Sequence, residues 1–424
     1  MAEEHRGRRR RNRQGELSRR KVLEATALLA SREGHRAASI ARITRLTGVP
    51  ASSIYWHFGD KQTLLAAAMQ HSYRESRPEA PRWQPSNGAE NRIARLLANV
   101  TYGRTSHLRA GYWQLGLTIA IEGNPQDAPL QALFEEIRAE RREQILDWWQ
   151  AEVGPTHSEL MADMTLALLD GRYIRNALGP PLHDDVSILA CHGLLHLAEH
   201  PAVPVSVPVP IRIPADSSTC SATSRTTLLR AATVVLSEQG FHGATITKIC
   251  EEANLPSSSL YWSFRNKGDL LAAVVREGRT APASSLDRCL PHIPVAWEPD
   301  MASALRVHLA WTEEEPEIPR VSHLLSLQRQ EGADSGRQTL AALRADSRSG
   351  VDSWLQRALG PFAGANDSAH LAEVPELLAD GLFVNRQLGG LKDPLPDHAG
   401  VIIRVMQGAV RALGEERPPV VGSR

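Results

Sequence analysis

Apolar residues recur at three- and four-residue intervals through most of the chain, and strict alternation is scarce. That spacing lines them along one face of a helix, so the expected fold class is all-α. The first run covers Ser18 to Arg32, with Val22, Leu23, Ala25, Leu28 and Leu29 on its face and Gly34 as its stop. A short second helix starts near Ser39, an N-cap residue type, and buries Ile40 and Ile43. Gly48 turns the chain, and Pro50, suited to a helix's first position, opens a third segment from Ala51 to Phe58. Two short helices joined by a Gly-containing turn make a helix-turn-helix, whose second helix enters a major groove. A fourth helix covers 61–77, and PEAPRWQPSNG (78–88) breaks the pattern as a loop. Helical runs then fall near 89–103, 105–122, 126–152, 157–178 and 184–199, the pattern of a helical bundle.

The same succession then starts again. SSIYWHFGDKQTLL at 52–65 returns 206 positions later as SSLYWSFRNKGDLL at 258–271. Laying 22–69 on 228–275 needs no gap and gives 18 identities in 48 positions. Fainter echoes follow, Glu122-Gly123 against Glu331-Gly332 and ALLDGRYIRNALG (167–179) against LLADGLFVNRQLG (377–389). Self-similarity over this length marks a tandem duplication of whole units. The organisation is a basic arm (1–17), a first helix-turn-helix domain (18–77), a first helical body (89–200), a Pro-rich linker (201–223), a second helix-turn-helix domain (224–279) and a second helical body (297–415). A loop from about Ala281 to Trp297 precedes the second body, and ERPPVVGSR closes the chain as a tail. The linker's alternating Pro and Val favours extended structure, and its 24 residues (201–224) span roughly 70 Å at about 3.1 Å each. That reach lets the chain fold back on itself as an intramolecular pseudo-dimer.

Charge sharpens the picture because it is uneven. The whole chain has 48 Lys and Arg against 48 Asp and Glu, yet residues 1–77 hold 16 against 7, and residues 224–280 hold 7 against 5. The N-terminal unit therefore carries an excess of nine positive charges, the second domain an excess of two, and the rest is acidic. A basic unit on an acidic body suits a phosphate-binding face on an otherwise unattracted carrier. Nine Lys and Arg fall within 6–21, and Arg9, Arg10 and Arg11 are the centre of an arm suited to a minor groove or phosphates. The same composition also fits a solvated tail, disordered until it binds. No apolar h-region follows the arm, and no run approaches the roughly 18 apolar residues of a membrane helix. Cys191, Cys220, Cys250 and Cys289 have neither metal-type nor disulfide-type spacing, so a reducing, cytoplasmic compartment is expected.

At this point the residues resemble a family. The first 75 or so residues are similar to TetR-type regulators, through Ser39-Ile40, Ile43, Gly48-Val49, Ile54-Tyr55, His57-Phe58, Lys61 and Leu64. The second copy supplies Thr245-Ile246, Ile249, Leu260-Tyr261, Phe264, Lys267 and Leu270, but places Asn254 at the turn Gly and Ser263 at the motif His. The resemblance implies that Pro50, Ala51, Ser52 and Ser53, with Ser257, Ser258 and Ser259, face base edges or phosphates. Serine hydroxyls discriminate bases weakly, so DNA shape is expected to carry part of the readout. Tyr55, His57 and Lys61, with Tyr261 and Lys267, are the implied phosphate contacts, and Ser263 takes the DNA-facing place of the motif His without its charge. Ser39, Arg42, Thr245 and Lys248, at the start of each second helix, are candidates for base or backbone contact. Trp56 is expected to pack the small domain. In the family the body holds an effector pocket, and its last two helices form the dimer interface.

Trp113, Trp148, Met161 and Tyr173 in the first body, and Trp311 and Phe383 in the second, are candidates to line such a pocket, although aromatics at helical spacing are more often core. His192, His196 and His200 share one helix face beside Cys191, but no further ligand completes a zinc signature, so no metal is assigned. Nothing resembles a phosphate-cradling Gly loop, a nucleophile elbow or a zinc-hydrolase motif, so no enzyme and no cofactor are expected. The reading is a ligand-responsive transcriptional repressor that binds duplex DNA at an asymmetric or imperfectly palindromic operator, as a pseudo-dimer or a further homodimer, with an unidentified small-molecule effector. The alternative is a ligand- or metal-sensing helical protein in which one or both readers are degenerate.

Overall fold

The computed structural model describes residues 2–76, 83, 89–101, 111–201, 223–360, 364, 366–389 and 397–414. Residues 202–222 of the Pro-rich linker and the closing tail fall outside these residues, as does the loop 78–88 apart from Trp83. Among the described residues there are helices and no strands.

In the first half, α1 (Ala2–Glu33), α2 (Ile40–Thr47), α3 (Ala51–Phe58) and α4 (Lys61–Ser76) build the N-terminal domain. Its geometry is local in origin. Ser39 is extended and its hydroxyl accepts the Arg42 N–H at 3.3 Å, which caps α2. Gly48, at φ 70°, turns the chain into Pro50, the N-cap of α3. Ile43, Ile54, Phe58 and Leu64 then close over a small core. One boundary differs from expectation. The first helix starts at Ala2 rather than near Ser18, so the arginine-rich segment read as an irregular arm continues α1.

The body of this half comprises α5 (Ala89–Thr101), α6 (Gly111–Glu122), α7 (Ala128–Val153), α8 (Ser158–Leu178) and α9 (Asp184–Glu199). The second half repeats the plan with α10 (Ser224–Gly243), α11 (Ile246–Glu252), α12 (Ser257–Ser263) and α13 (Lys267–Gly278) as its small domain. Thr245 caps α11 by accepting the Lys248 N–H at 3.3 Å. Asn254, at φ 51°, makes the left-handed turn that Gly48 makes in the first copy. The segment read as a plain loop contains a short helix, α14 (Leu286–Cys289), because Leu286 is buried against the body. The remaining helices are α15 (Trp297–Glu314), α16 (Glu317–Leu327), α17 (Asp334–Leu359), α18 (Asp367–Gln387) and α19 (His398–Gly414).

The halves meet through their last two helices, α8 against α18 and α9 against α19. Glycines permit the approach. A Cβ on Gly193 would lie 2.3 Å from the Val405 carbonyl oxygen, and one on Gly408 would lie 2.9 Å from the Gly193 Cα. One apolar cluster runs from the first small domain through both bodies, whereas α10 to α13 gather a second cluster with Val321 and Leu325 of α16, Leu340 of α17 and Ala333 just before α17. Each small domain is therefore seated on its own body, through α1 and α4 on α6, and through α10 and α13 on α16 and α17.

Candidate nucleic-acid interface and sensing cavity

On α3 the buried side chains are Ile54 and Phe58, so the turn between them faces outward. Ala51, Ser52 and His57 are exposed, Ser53 is half-buried, and Tyr55 is 51% exposed. On α12 the buried residue is Leu260, Ser257 and Ser258 are exposed, Ser259 and Ser263 are half-buried, and Tyr261 is 60% exposed. Trp56 contradicts the sequence reading. It does not pack the small domain but stands 81% exposed, and Trp262 at the matching position is 90% exposed. Helical phase explains the difference: Trp56 lies two residues from both Ile54 and Phe58, and a rotation of about 200° carries it to the opposite face. Both halves thus present a Tyr-Trp pair to solvent on the same helix.

The cations of the sequence reading are tied down. Arg42 donates to both carboxylate oxygens of Glu33 at 2.7 Å, and Lys248 donates to Gln239 at 2.6 Å and to the Gly243 carbonyl at 3.3 Å. Lys61 donates to the Arg36 carbonyl at 3.3 Å, and burial lowers its pKa. Lys267 donates to the Phe241 carbonyl, lies 3.9 Å from the Phe241 ring centroid, and is pushed down by burial to about 8. These lysines anchor the segment after the first helix of each domain, a structural role that sequence alone did not separate from phosphate binding. A second matched pair escaped notice. Arg19 lies over the Phe58 ring at 5.6 Å and Arg225 over the Phe264 ring at 4.5 Å, both exposed beside the recognition helix. Arg9, Arg10 and Arg11 fall on α1, with side chains outside the described residues.

In the second body a cavity of about 100 Å³ lies between α13, α15, α16, α17 and α18. Trp311 and Phe383 line it, together with His308, His323, Arg344 and Asp380. Arg344 bonds Asp380 at 2.7 Å, and His323 Nε2 lies 2.8 Å from the same carboxylate. Burial opposes the charge on Asp380, but Arg344 and then His323 outweigh it and hold the carboxyl below its usual range. The first body uses the equivalent residues differently. Arg138 pairs with Asp170 at 2.6 Å, and the Trp113 indole donates to Asp170 at 2.9 Å. Phe134 packs edge-on to Trp113 at 5.3 Å and occupies the space over Gly116, where a Cβ would stand 2.0 Å from its ring. Trp148 and Met161 are fully buried, and Tyr173 is half-buried with its hydroxyl donating to Gln114 at 3.3 Å. Among the described residues, aromatic rings thus fill the space beside Asp170, whereas a cavity lies beside Asp380.

The profile of the family described as bacterial regulatory proteins, tetR family, matches twice, over 22–68 and 228–274. The HTH-type transcriptional regulator BetI of Cronobacter sakazakii (strain ATCC BAA-894) is 30% identical over 177 residues, covering 39% of this chain and 83% of its own length. BetI of Brucella suis (strain ATCC 23445 / NCTC 10510) is 24% identical over 176 residues, covering 41% of this chain and 87% of its own. The chain belongs to the TetR family. It is a helix-turn-helix, DNA-binding type of regulator with two tandem copies of the TetR reader.

Within this TetR-family chain the readers and bodies meet at a polar hub. Glu122, the last residue of α6, accepts from Gln328, the residue after α16, at 3.0 Å. His35 Nε2 lies 3.0 Å from Asp127, and Arg36 Nε lies 3.6 Å from Glu122. Burial raises the pKa of Glu122, opposed by His35 and Arg36. Across the hub, the Arg329 N–H donates to the Arg32 carbonyl at 2.5 Å, and Gln330 donates to the Glu33 carbonyl. These bonds cap the end of α1 of one half with the α16–α17 turn of the other. Sequence reasoning missed the hub and both Arg–Asp pairs. A trace of the latter was present, since Arg138 and Arg344 are 206 apart and each Asp precedes the Gly of the echoed segment.

Proposed function

We propose that the chain is a ligand-responsive transcriptional regulator that grips one asymmetric or imperfectly palindromic operator with both of its own readers. The observation that carries this reading is the matched exposed face on α3 and α12, Tyr55-Trp56 and Tyr261-Trp262, on two domains of one chain joined through α8, α9, α18 and α19. Tyr55, Trp56 and His57 of the first copy, and Tyr261 and Trp262 of the second, meet the DNA, with Ser52, Ser53, Ser258 and Ser259 closest to the groove floor. The effector enters the cavity of the second body. From there α16 leads directly to the opposite reader. It lines the cavity with His323, and its last carbonyl, on Leu327, accepts from Gln114 of the first half. The residues that follow hold Glu122, Arg32 and Glu33. A ligand that shifts α16 therefore moves both readers relative to each other.

Sedimentation of the operator complex tests the assembly. One chain per operator is expected, and two chains per operator would sink the pseudo-dimer reading. A second reading, in which the second reader is degenerate and the chain dimerises through its first, draws on Ser263 in place of the motif His and on the smaller charge excess of that domain. Footprinting separates the two, since a degenerate reader leaves half of the operator unprotected in a one-chain complex.

A further inference from the structure

Three donor side chains from the two halves converge at one end of the seam. His183 is the N-cap of α9, Asp185 lies in the first turn of that helix, and His370 lies in the first turn of α18. The donor atoms of all three lie within 4.8 Å of one another. Asp185 Oδ2 is 3.3 Å from His183 Nδ1 and 3.6 Å from His370 Nδ1. The two imidazole rings stack, with centroids 4.7 Å apart and planes 10° from parallel, so the exposed His183 ring must turn for both nitrogens to face one ion.

Those spacings suit a metal. Ligands held about 2.0–2.2 Å from a tetrahedral ion stand about 3.3–3.5 Å from one another, which is close to both distances here. Two imidazole nitrogens and one carboxylate oxygen are borderline donors that favour Zn²⁺ and its first-row neighbours over Mg²⁺ or Ca²⁺. The cluster is also reachable, because the His183 side chain is 65% exposed while Asp185 and His370 are 25% and 15% exposed. In the present arrangement His183 Nδ1 accepts the Asp185 N–H at 3.3 Å, a long contact that an ion would replace. The carboxylates of Asp184 and Asp185 offset the positive end of α9, which otherwise repels a cation.

We propose that His183, Asp185 and His370 bind one divalent first-row transition-metal ion, with water as the remaining ligand, and that this ion cross-links the two halves. Its ligands come from α9 of the first half and α18 of the second, two of the four helices that join the halves, so occupancy fixes the relative setting of the readers. The probe is Co²⁺, followed by Zn²⁺ competition, on the full chain after treatment with a chelator. One equivalent of Co²⁺ with the intense visible bands of four-coordinate geometry is expected, displaced by Zn²⁺, and Zn²⁺ should raise the thermal midpoint. His183→Ala and His370→Ala should each weaken binding by more than the roughly 10–100-fold that loss of an outer-shell partner costs. His183 is exposed, so its variant keeps the fold, and circular dichroism verifies that. His292→Ala, an exposed histidine in the second half, should bind as the parent does. Undiminished binding in the His183 and His370 variants, or octahedral Co²⁺ bands alone, would overturn the proposal.

Discussion

Gly171 lies so close to Leu377 that a Cβ on it would stand 1.8 Å from the Leu377 carbonyl oxygen. The relationship is reciprocal, since a Cβ on Gly381 would stand 1.8 Å from the Ala167 carbonyl oxygen, and the two glycines hold matching places in the echoed segments. The obstacle is backbone, which no rotamer change can move. Gly171→Ala must therefore push α8 and α18 apart, at a cost of about 1–3 kcal/mol or more. Small-angle scattering should show a looser particle, and operator affinity should fall although both readers remain folded. An unchanged profile and unchanged affinity would refute the seam as described.

Asp380 is an ion-pair partner that cannot be removed alone. Asp380→Ala strands the Arg344 guanidinium beside the cavity, with Glu376 at 3.6 Å as its nearest remaining carboxylate. Breaking a buried pair on one side costs about 3–5 kcal/mol, whereas replacing both partners by apolar residues is often neutral. Denaturant titration should find Asp380→Leu/Arg344→Met more stable than Asp380→Ala.

Acid should loosen the seam. Burial first, and nearby Arg386 second, lower the pKa of His398 to about 4, and burial together with His200, Arg411 and Arg404 does the same for His196. Both imidazoles are neutral in the fold and take up a proton on unfolding at a higher pH than in the native state. Their contribution to stability is complete above the ordinary value of 6.5 and is lost as pH falls from there toward 4. Thermal midpoints should drop between about pH 7 and pH 5, and His398→Gln should flatten that slope. An identical slope in the variant would assign the effect elsewhere.

Trp56 and Trp262 separate binding from folding. Each is too exposed to support a core, so Trp56→Ala and Trp262→Ala should alter stability by no more than about 0.5 kcal/mol. Operator affinity should drop by about 1 kcal/mol or more for each residue that meets DNA. If Trp262→Ala leaves affinity intact while Trp56→Ala does not, the second reader is the idle one.

The basic N-terminal segment should dominate the salt response. Each phosphate neutralised contributes about −0.9 to the slope of log affinity against log salt on duplex DNA. Deleting residues 1–17 removes Arg6, Arg8 to Arg11 and Arg13, so the slope should become shallower by several units. A slope equal to that of the full chain would rule out phosphate contacts by this segment.

Local sequence determined the elements and their repetition. Ser39, Gly48 and Pro50 act on their own neighbours, and the apolar period of α7 and α8 is visible without any partner, because capping and amphipathicity are short-range. The duplication was legible for the same reason: matched residues 206 apart encode matched local structure. Tertiary structure decided what each side chain does. Trp56 turned outward, and Arg42, Lys61 and Lys267 found acceptors in their own domains, because helix phase and docking angle set those contacts. The space beside Asp170 is filled by Phe134 over Gly116, a pairing that composition does not reveal. The Gly171–Leu377 approach, the Glu122–Gln328 bond and the His183–Asp185–His370 cluster join residues that lie far apart in the chain. Their meeting depends on how two bundles dock, which no local pattern encodes.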